Sequence, residues 1–448
     1  MFSKILIANR GEIAVRIIRA CKEMGITTVA VYSEADAQAL HTNLADESYC
    51  IGAAPVRDSY LNMDAILCAA INSQAQAIHP GYGLLSENAE FAQRCKENGI
   101  VFIGPAAETI SRMGDKDAAR HAMIDAGVPV VEGTELLTSA KEAQAAAEKI
   151  GYPVLLKARS GGGGRGIRPV YSADGMQNAF EAARAEALSA FGDGELYMEK
   201  FLKPAKHIEV QILCDQKGKV VVLGDRDCSI QRRNQKLIEE APAPTLEESV
   251  RQEMYKASIA AAKAVGYEGA GTIEYLLSPD GTFRFMEMNT RLQVEHSVTE
   301  MVCGIDIVKW QIRIAAGLPI SFPESEIGKI GHAIECRICA EHPFTFMPGA
   351  GEIKILHVPG GMGVRFDSAI YQNYVVPPCY DSMLGKLIVY SHTREEAIRK
   401  MRSALSELVI DGIWQNSELY LEILSQETFL DGTYSTDFMS DFSKKLGS

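Results

Sequence analysis

The opening segment, KILIANRGEIAVRIIRACKEMGITTVAVYS from Lys4 to Ser33, constrains the fold more than any other stretch of the chain. Two near-continuous apolar runs flank a segment of helical period. Runs of that kind belong to strands buried on both faces, as in parallel sheets. Between them, Ile13, Ile17, Ala20 and Met24 recur at helical spacing, while Arg16, Arg19 and Glu23 lie elsewhere on the same surface. Similar units follow to about residue 113, so residues 1–114 are expected to form an open parallel α/β domain. The turn ANRGEIA lacks the GxGxxG fingerprint, which argues against a nicotinamide dinucleotide there. The loop HPGYGLLSEN (79–88) follows an apolar stretch, and loops after strand ends in open sheets carry function. Taken alone, it reads equally well as an ordinary tight turn.

Bulk properties narrow the function. The chain has 448 residues, enough for two or three domains. Its formal charge is −13, from 45 basic against 58 acidic residues. Such a surface argues against general nucleic-acid binding, which needs a basic stripe. No apolar run reaches membrane-spanning length, and the apolar stretch in MFSKILIANRGE is too short for a signal peptide. A cytoplasmic protein is expected. The one close cysteine pair, Cys336 and Cys339, sits in a strand-like segment, where an offset of three puts the thiols on opposite faces. Reduced core cysteines explain it better than zinc.

A second constraint is KARSGGGGRGIR (157–168), four consecutive glycines behind an apolar strand. Glycine weakens a regular element by roughly 0.5–1 kcal/mol, so this run does not serve packing. Gly161, Gly163 and Gly166 satisfy GxGxxG, but a dinucleotide fingerprint requires a helix next. IRPVYS follows instead and reads as strand, with Pro169 excluding a helix interior. Strand, glycine loop, strand predicts a hairpin flap of the kind that closes over phosphates. No GxxxxGK[ST] occurs, which excludes a P-loop. Lys157 is placed to reach a phosphate.

The third constraint is TIEYLLSPDGTFRFMEMNTRLQVEH (272–296). Asp280-Gly281 is a turn signal. A loop of Pro279–Thr282 puts Ser278 opposite Phe283 and Glu274 opposite Glu287. Like charges directly opposed destabilise a ladder, and a cation between them reverses the sign. Asn289 shares their face, so two carboxylates and an amide oxygen suit Mg²⁺ or Mn²⁺. The alternation predicts one long polar strand with Glu287, Asn289, Arg291, Gln293 and Glu295 facing one way. A solvated amphipathic strand is the plain alternative. Together with the flap, a metal–nucleotide site explains the pattern better.

KARSGGGGRG, MEKFL, RDCSIQRR, EEAPAP, MEMNTRLQVEH and PPCYDSMLGKL resemble the biotin carboxylases, the ATP-grasp component of biotin-dependent carboxylases. The similarity runs from ILIANRGEIA to the helix expected to be the last, from Arg394 to about Leu408, nearly the whole chain. It implies the N-terminal open α/β domain (1–114), an ATP-grasp domain (115–329) with a mobile lid (about 131–203), and a C-terminal mixed α+β domain (330–448). The implied reaction is a ligase reaction in two steps. ATP phosphorylates bicarbonate to carboxyphosphate, and the carboxyl group then passes to N1 of biotin on a carrier protein.

By resemblance, Lys116, Lys157, Gly163 and Gly164 would contact ATP phosphates. Glu199, Lys200, Phe201 and Leu202 would line the adenine, with His207 near the ribose and Gln231 and Asn234 nearby. Glu274, Glu287 and Asn289 would hold two Mg²⁺ or Mn²⁺ ions. Lys236, Arg291, Gln293 and the Val294 N–H would take bicarbonate, with Glu295 as general base. Arg337 would stabilise the biotin enolate, and Tyr82 and Gly83 would line the biotin pocket. Asn234 stands where many relatives have histidine, Ser297 where the usual residue is proline, and Cys379 where tyrosine is frequent.

No Met-Lys-Met occurs, so a separate biotin carboxyl carrier protein is expected, together with carboxyltransferase subunits. That pattern fits the biotin carboxylase subunit of a multi-subunit acetyl-CoA carboxylase, acting in fatty acid synthesis. A subunit of a pyruvate or propionyl-CoA carboxylase is the alternative. The family is commonly a homodimer, and Arg19, Glu23 and Arg365 match its interface. Two other readings are another bicarbonate-using ATP-grasp ligase and a catalytically dead nucleotide-binding regulator.

Overall fold

The structure is a computed structural model that describes residues 1–159, 166–323, 325, 327–328 and 330–446. The N-terminal sheet has five parallel strands in the order Glu47–Cys50, Thr27–Tyr32, Lys4–Ile7, Ala77–His79, Val101–Phe102. Alternation along the first strand sends Ile5 and Ile7 to one core and Leu6 to another, so both faces are covered. Helix Gly11–Glu23 packs Ile13 and Ile17 against the first of these cores. Strand order reverses between Lys4–Ile7 and Ala77–His79, which opens a crevice at their carboxyl ends. The loop 79–88 lies there. Asn9 pins it by donating to the carbonyls of Pro80 (2.7 Å) and Tyr82 (2.8 Å). Gly81 has φ +66°, and a Cβ on it would stand 2.9 Å from the Asn9 amide. The proline-glycine composition of the loop thus reflects a close approach.

A second sheet has eight antiparallel strands. In order they are Phe283–Asn289, Gly269–Leu277, Lys206–Cys214, Val220–Arg232, Gln235–Ala241, His332–Cys339, Met383–Ser391 and Val364–Ser368. Pairing of Gln235–Ala241 with His332–Cys339 makes one sheet of the middle and C-terminal segments. The turn between Arg232 and Gln235 places Arg233 and Asn234 at φ 50° and 63°, the twist a two-residue hairpin prefers. A small third sheet, Ile167–Val170, Val154–Ala158 and Leu196–Lys200, is backed by helices Ala140–Ile150 and Met176–Phe191. The two strands that flank the glycine run pair antiparallel, with Lys157 opposite Ile167, as the hairpin reading requires. The phosphate contacts expected of Gly163 and Gly164 lie outside the described residues.

The hairpin at 272–296 departs from expectation in two compensating ways. Its turn takes one more residue, so Leu277, not Ser278, faces Phe283. A bulge between Glu274 and Tyr275 on one strand and Phe285 and Glu287 on the other then restores the register, and Glu274 faces Glu287. The long polar strand ends at Asn289, and helix His296–Cys303 begins directly after Glu295. The reason is tertiary. Arg291 and Thr290 leave the ladder to bond Glu87, and the chain bends at Glu295 to φ −80°, ψ 11°. The helix Arg394–Glu407 is also not the last, since Ser417–Ile423, Glu427–Leu430 and Phe438–Leu446 follow it.

Candidate active site

Four side chains stand in one row across four adjacent strands. Glu287 pairs with Glu274, Glu274 with Glu209, and Glu209 with Arg226. Three carboxylates side by side are unfavourable unless cations are threaded between them. Arg226 is fully buried and donates to Glu209 (3.0 and 3.2 Å), Gln211 (2.8 Å), Thr272 (3.1 Å) and Thr299 (2.9 Å). Lys236 supplies the second cation. Its Nζ donates to Glu209, to Glu274 (3.0 Å), to Gln293 (3.2 Å) and to Glu295 (2.7 Å). Burial alone would lower its pKa, but the carboxylates of Glu209, Glu274 and Glu295 hold it well above the lysine range. Burial, with the Glu295 and Glu274 charges, pushes Glu209 up to about 7 against the pull of Lys236.

Glu295 is 1% exposed and is held from two sides. Oε1 takes Lys236, and Oε2 takes Arg337 Nη2 at 3.0 Å. These two cations outweigh burial and keep its carboxyl well below the usual range. Arg337 Nε also donates to Glu239 at 2.7 Å, and its carbonyl accepts from Asn416 and Tyr420. The planar guanidinium is therefore fixed at both its head and its backbone. The peptide that carries the Val294 N–H is oriented by His296, whose Nδ1 lies 2.8 Å from the Gln293 carbonyl. Tyr82, from the crevice loop, bonds Glu12. Gly83 lies next to it at φ +64°, which glycine adopts without strain.

The acidic end presents carboxylates that could take a cation. Glu274 is saturated: His207 (2.7 Å), Lys236 (3.0 Å), Asn289 (2.8 Å) and Gln293 (2.8 Å) all bond it, and its pKa lies well below normal. Glu287, directly opposite, has an exposed side chain. Desolvation, then the Glu274 charge, raise its pKa. One satisfied carboxylate opposite one strained one is a donor set that suits a divalent ion. The Asn289 amide gives its nitrogen to Glu274 and its oxygen to Arg291 (2.9 Å), so it must turn to act as an oxygen ligand. His207 is fixed between Glu274 and Gln231, whose Nε2 lies 2.6 Å from His207 Nδ1.

Above the row, Lys157 pairs with Glu199 of the neighbouring strand. Lys116 opens helix Lys116–Asp125, which Asp115 caps. Burial, then the nearby Lys157 ammonium, lower its pKa. Two ammonium groups converging on one space call for an anion between them. Lys200 instead anchors its own small sheet, donating to the carbonyls of Gly151 (2.8 Å) and Tyr152 (3.1 Å). Phe201 and Leu202 follow it in the chain, half-buried. Asn234 is exposed at the hairpin tip. Arg291 pairs with Glu87 at 2.8 Å and bonds the Asn289 amide oxygen at 2.9 Å, within reach of the Glu295 and Glu274 charges.

Glu87, Glu209, Arg226, Glu239 and Lys386 escaped the sequence reading. Alternation of polar residues in the strand KHIEVQ, at His207, Glu209 and Gln211, was the available signal for one of them.

Family models match for the biotin carboxylase N-terminal domain over residues 1–110, the carbamoyl-phosphate synthase L chain ATP-binding domain over 115–322, and the biotin carboxylase C-terminal domain over 335–441. Biotin carboxylase of Haemophilus influenzae is 53% identical, over all of this chain and 99% of that protein. Among solved structures, the biotin carboxylase–β-γ-ATP complex of Campylobacter jejuni superposes with TM-score 0.96 at 49% identity, over 98% of this chain and 99% of that one. The biotin carboxylase domain dimer of Hydrogenobacter thermophilus 2-oxoglutarate carboxylase, with MgADP and bicarbonate, superposes with TM-score 0.95 at 48% identity, over 98% of each chain. With all three of its segments and its full length accounted for in this way, the chain belongs to the biotin carboxylase family.

Proposed function

We propose that the protein carboxylates biotin on a separate carrier protein, using ATP and bicarbonate through carboxyphosphate. The observation that carries the reading is Glu295, a buried carboxylate bridging Lys236 and Arg337 beside a strained carboxylate pair. Bicarbonate is a small anion, and Lys236, Arg291 and the Val294 N–H are the donors assigned to it. Glu295 takes the bicarbonate proton when bicarbonate displaces it from Lys236. Its present pKa is too low for a base, and losing that ammonium raises it. The bicarbonate oxygen then attacks the γ-phosphorus of ATP, the bond to the β-phosphate oxygen breaks, and ADP leaves.

Glu274, Glu287 and Asn289 would hold the divalent ions, which neutralise phosphate charge when bound. Lys116 and Lys157 hold the phosphates, and Gly163 and Gly164 cover them. Glu199 to Leu202, with His207, Gln231 and Asn234, form the nucleotide's remaining surroundings. Arg337 then binds the biotin ureido oxygen and stabilises its developing negative charge, with Tyr82 and Gly83 shaping that pocket.

The carrier and carboxyltransferase are partners of this chain, and acetyl-CoA is the proposed final acceptor. The 2-oxoglutarate carboxylase relative keeps a keto-acid acceptor as the second reading. That relative is a dimer, and Arg16, Arg19, Glu23 and Arg365 line one surface cavity here, the face assigned to a homodimer. No helix among the described residues is long and apolar enough to cross a membrane. A cytoplasmic location is part of the same proposal, as is the division at residues 114 and 329. The test is ATP cleavage with bicarbonate omitted or supplied, and with free biotin added. Turnover that ignores bicarbonate would overturn the assignment.

A further inference from the structure

Lys386 sits on strand Met383–Ser391 with a fully buried side chain, directly opposite Arg337. Two cations facing each other across a ladder repel. Nothing in the reaction as described uses the second. Its ammonium donates to the Val294 carbonyl at 2.6 Å and to Ser297 Oγ at 3.0 Å. Ser297 Oγ in turn donates to Asp367 at 3.2 Å, and Arg365 holds Asp367 at 2.6 Å. Glu12 Oε1 lies 3.4 Å from the ammonium and Asp367 Oδ2 4.0 Å, so its charge is compensated.

The anchored atoms flank one residue. Val294 precedes Glu295, and Ser297 follows two positions later. Glu295 itself caps its helix with a backbone outside both helix and strand, and no side-chain cap bond steadies it. Its two carboxylate bonds, to Lys236 and Arg337, come from different strands. Holding both bonds requires the turn to be fixed to within a fraction of an ångström. A misplacement of about 1 Å costs on the order of 10²-fold in rate.

We propose that Lys386 and Ser297 form a positioning clamp that holds the Glu295 turn in register with Lys236 and Arg337. The clamp rests on the reading of Glu295 as the bicarbonate base. Ser297 is the second residue of its helix, where the backbone N–H has no intrahelical partner. The proline usual in relatives is therefore compatible with this position and would restrain the turn through its fixed φ. In this chain, hydrogen bonds to Lys386 and Asp367 supply the restraint instead.

The test compares Ser297→Ala, Ser297→Pro and the charge-neutral double variant Glu12→Gln/Lys386→Met. Bicarbonate-dependent ATP cleavage is followed as a function of both substrates, with thermal unfolding in parallel. Ser297→Ala should lower kcat/KM for bicarbonate about 10-fold, mostly through kcat, while KM for ATP stays within about two-fold. Ser297→Pro should return to within about two-fold of the native value. The folded double variant should lose ~10²-fold on the same parameter. Native bicarbonate kinetics in a folded Ser297→Ala or double variant would overturn the clamp, as would an equal loss on ATP and bicarbonate. If the double variant does not fold, the Ser297 pair decides. Native protein that cleaves ATP without bicarbonate would instead overturn the proposed function, and the two failures are thereby distinguished.

Discussion

Replacing Glu287 with glutamine should abolish turnover and yet leave the nucleotide-free protein as stable as before, or more so. The structure fixes the sign. Glu274, directly opposite, already accepts from His207, Lys236, Asn289 and Gln293. Among the described residues, Glu287 makes no such bonds. Desolvation and the Glu274 charge raise its pKa despite attraction from Lys116 and Lys236, so its charged form is disfavoured on balance. Like charges directly opposed across a ladder cost roughly 0.2–1 kcal/mol, and the neutral amide should recover about that much. With Mg²⁺ and a non-hydrolysable ATP analogue the order should invert. A ligand at a hundred-fold excess over its Kd stabilises the native protein by about 2.7 kcal/mol, and the variant should gain far less. Thermal or urea unfolding of both proteins, with and without the magnesium nucleotide, reads this crossing directly. A ligand-free loss of about 2 kcal/mol, the size of a core truncation, would show that Glu287 is structural. Equal stabilisation of both proteins by the magnesium nucleotide would show that the pair does not bind the ion.

Three further outcomes follow from contacts. Arg337→Ala should cut carboxybiotin formation ~10²–10³-fold, and lysine should rescue it poorly. Because Arg337 also holds Glu295, biotin-independent ATP cleavage should fall too, by a smaller factor; parallel assays of ADP and carboxybiotin giving equal losses would refute the division of roles. Lys236→Met should abolish activity and destabilise the protein by about 3–5 kcal/mol, since three buried carboxylates lose their shared cation; urea unfolding measures it, and native stability would refute it. Glu240 is buried, but bonds from His332 (2.7 Å), Arg394 (2.8 and 2.9 Å) and Tyr434 (2.6 Å) bring its pKa down to about 2 from 4.5. Its stabilisation, about 3 kcal/mol, should be complete above pH 4.5 and vanish as pH falls toward 2, and Glu240→Gln should erase that acid dependence in unfolding curves taken across this range.

What the sequence determined by itself was local. The apolar runs around Ile5 and Val29 announced a parallel sheet because both faces of such strands are buried, and the pairing is observed. The Asp280-Gly281 turn placed Glu274 opposite Glu287 because a hairpin's register follows from its turn, although the turn and the bulge each shifted by one residue. The resemblance carried residue assignments no periodicity could reach. The tertiary structure alone decided which strands became neighbours. Alternation tells which face Glu209 occupies, but not that Glu274 and Arg226 flank it, because those partners come from strands far along the chain. It could not foresee that Arg291 would leave the ladder for Glu87 and end the strand at Asn289, since Glu87 arrives from another sheet's loop. Nor could it show that Lys386 reaches the turn at Glu295, because a buried ammonium's partners are set by what packs around it, not by what precedes it in sequence.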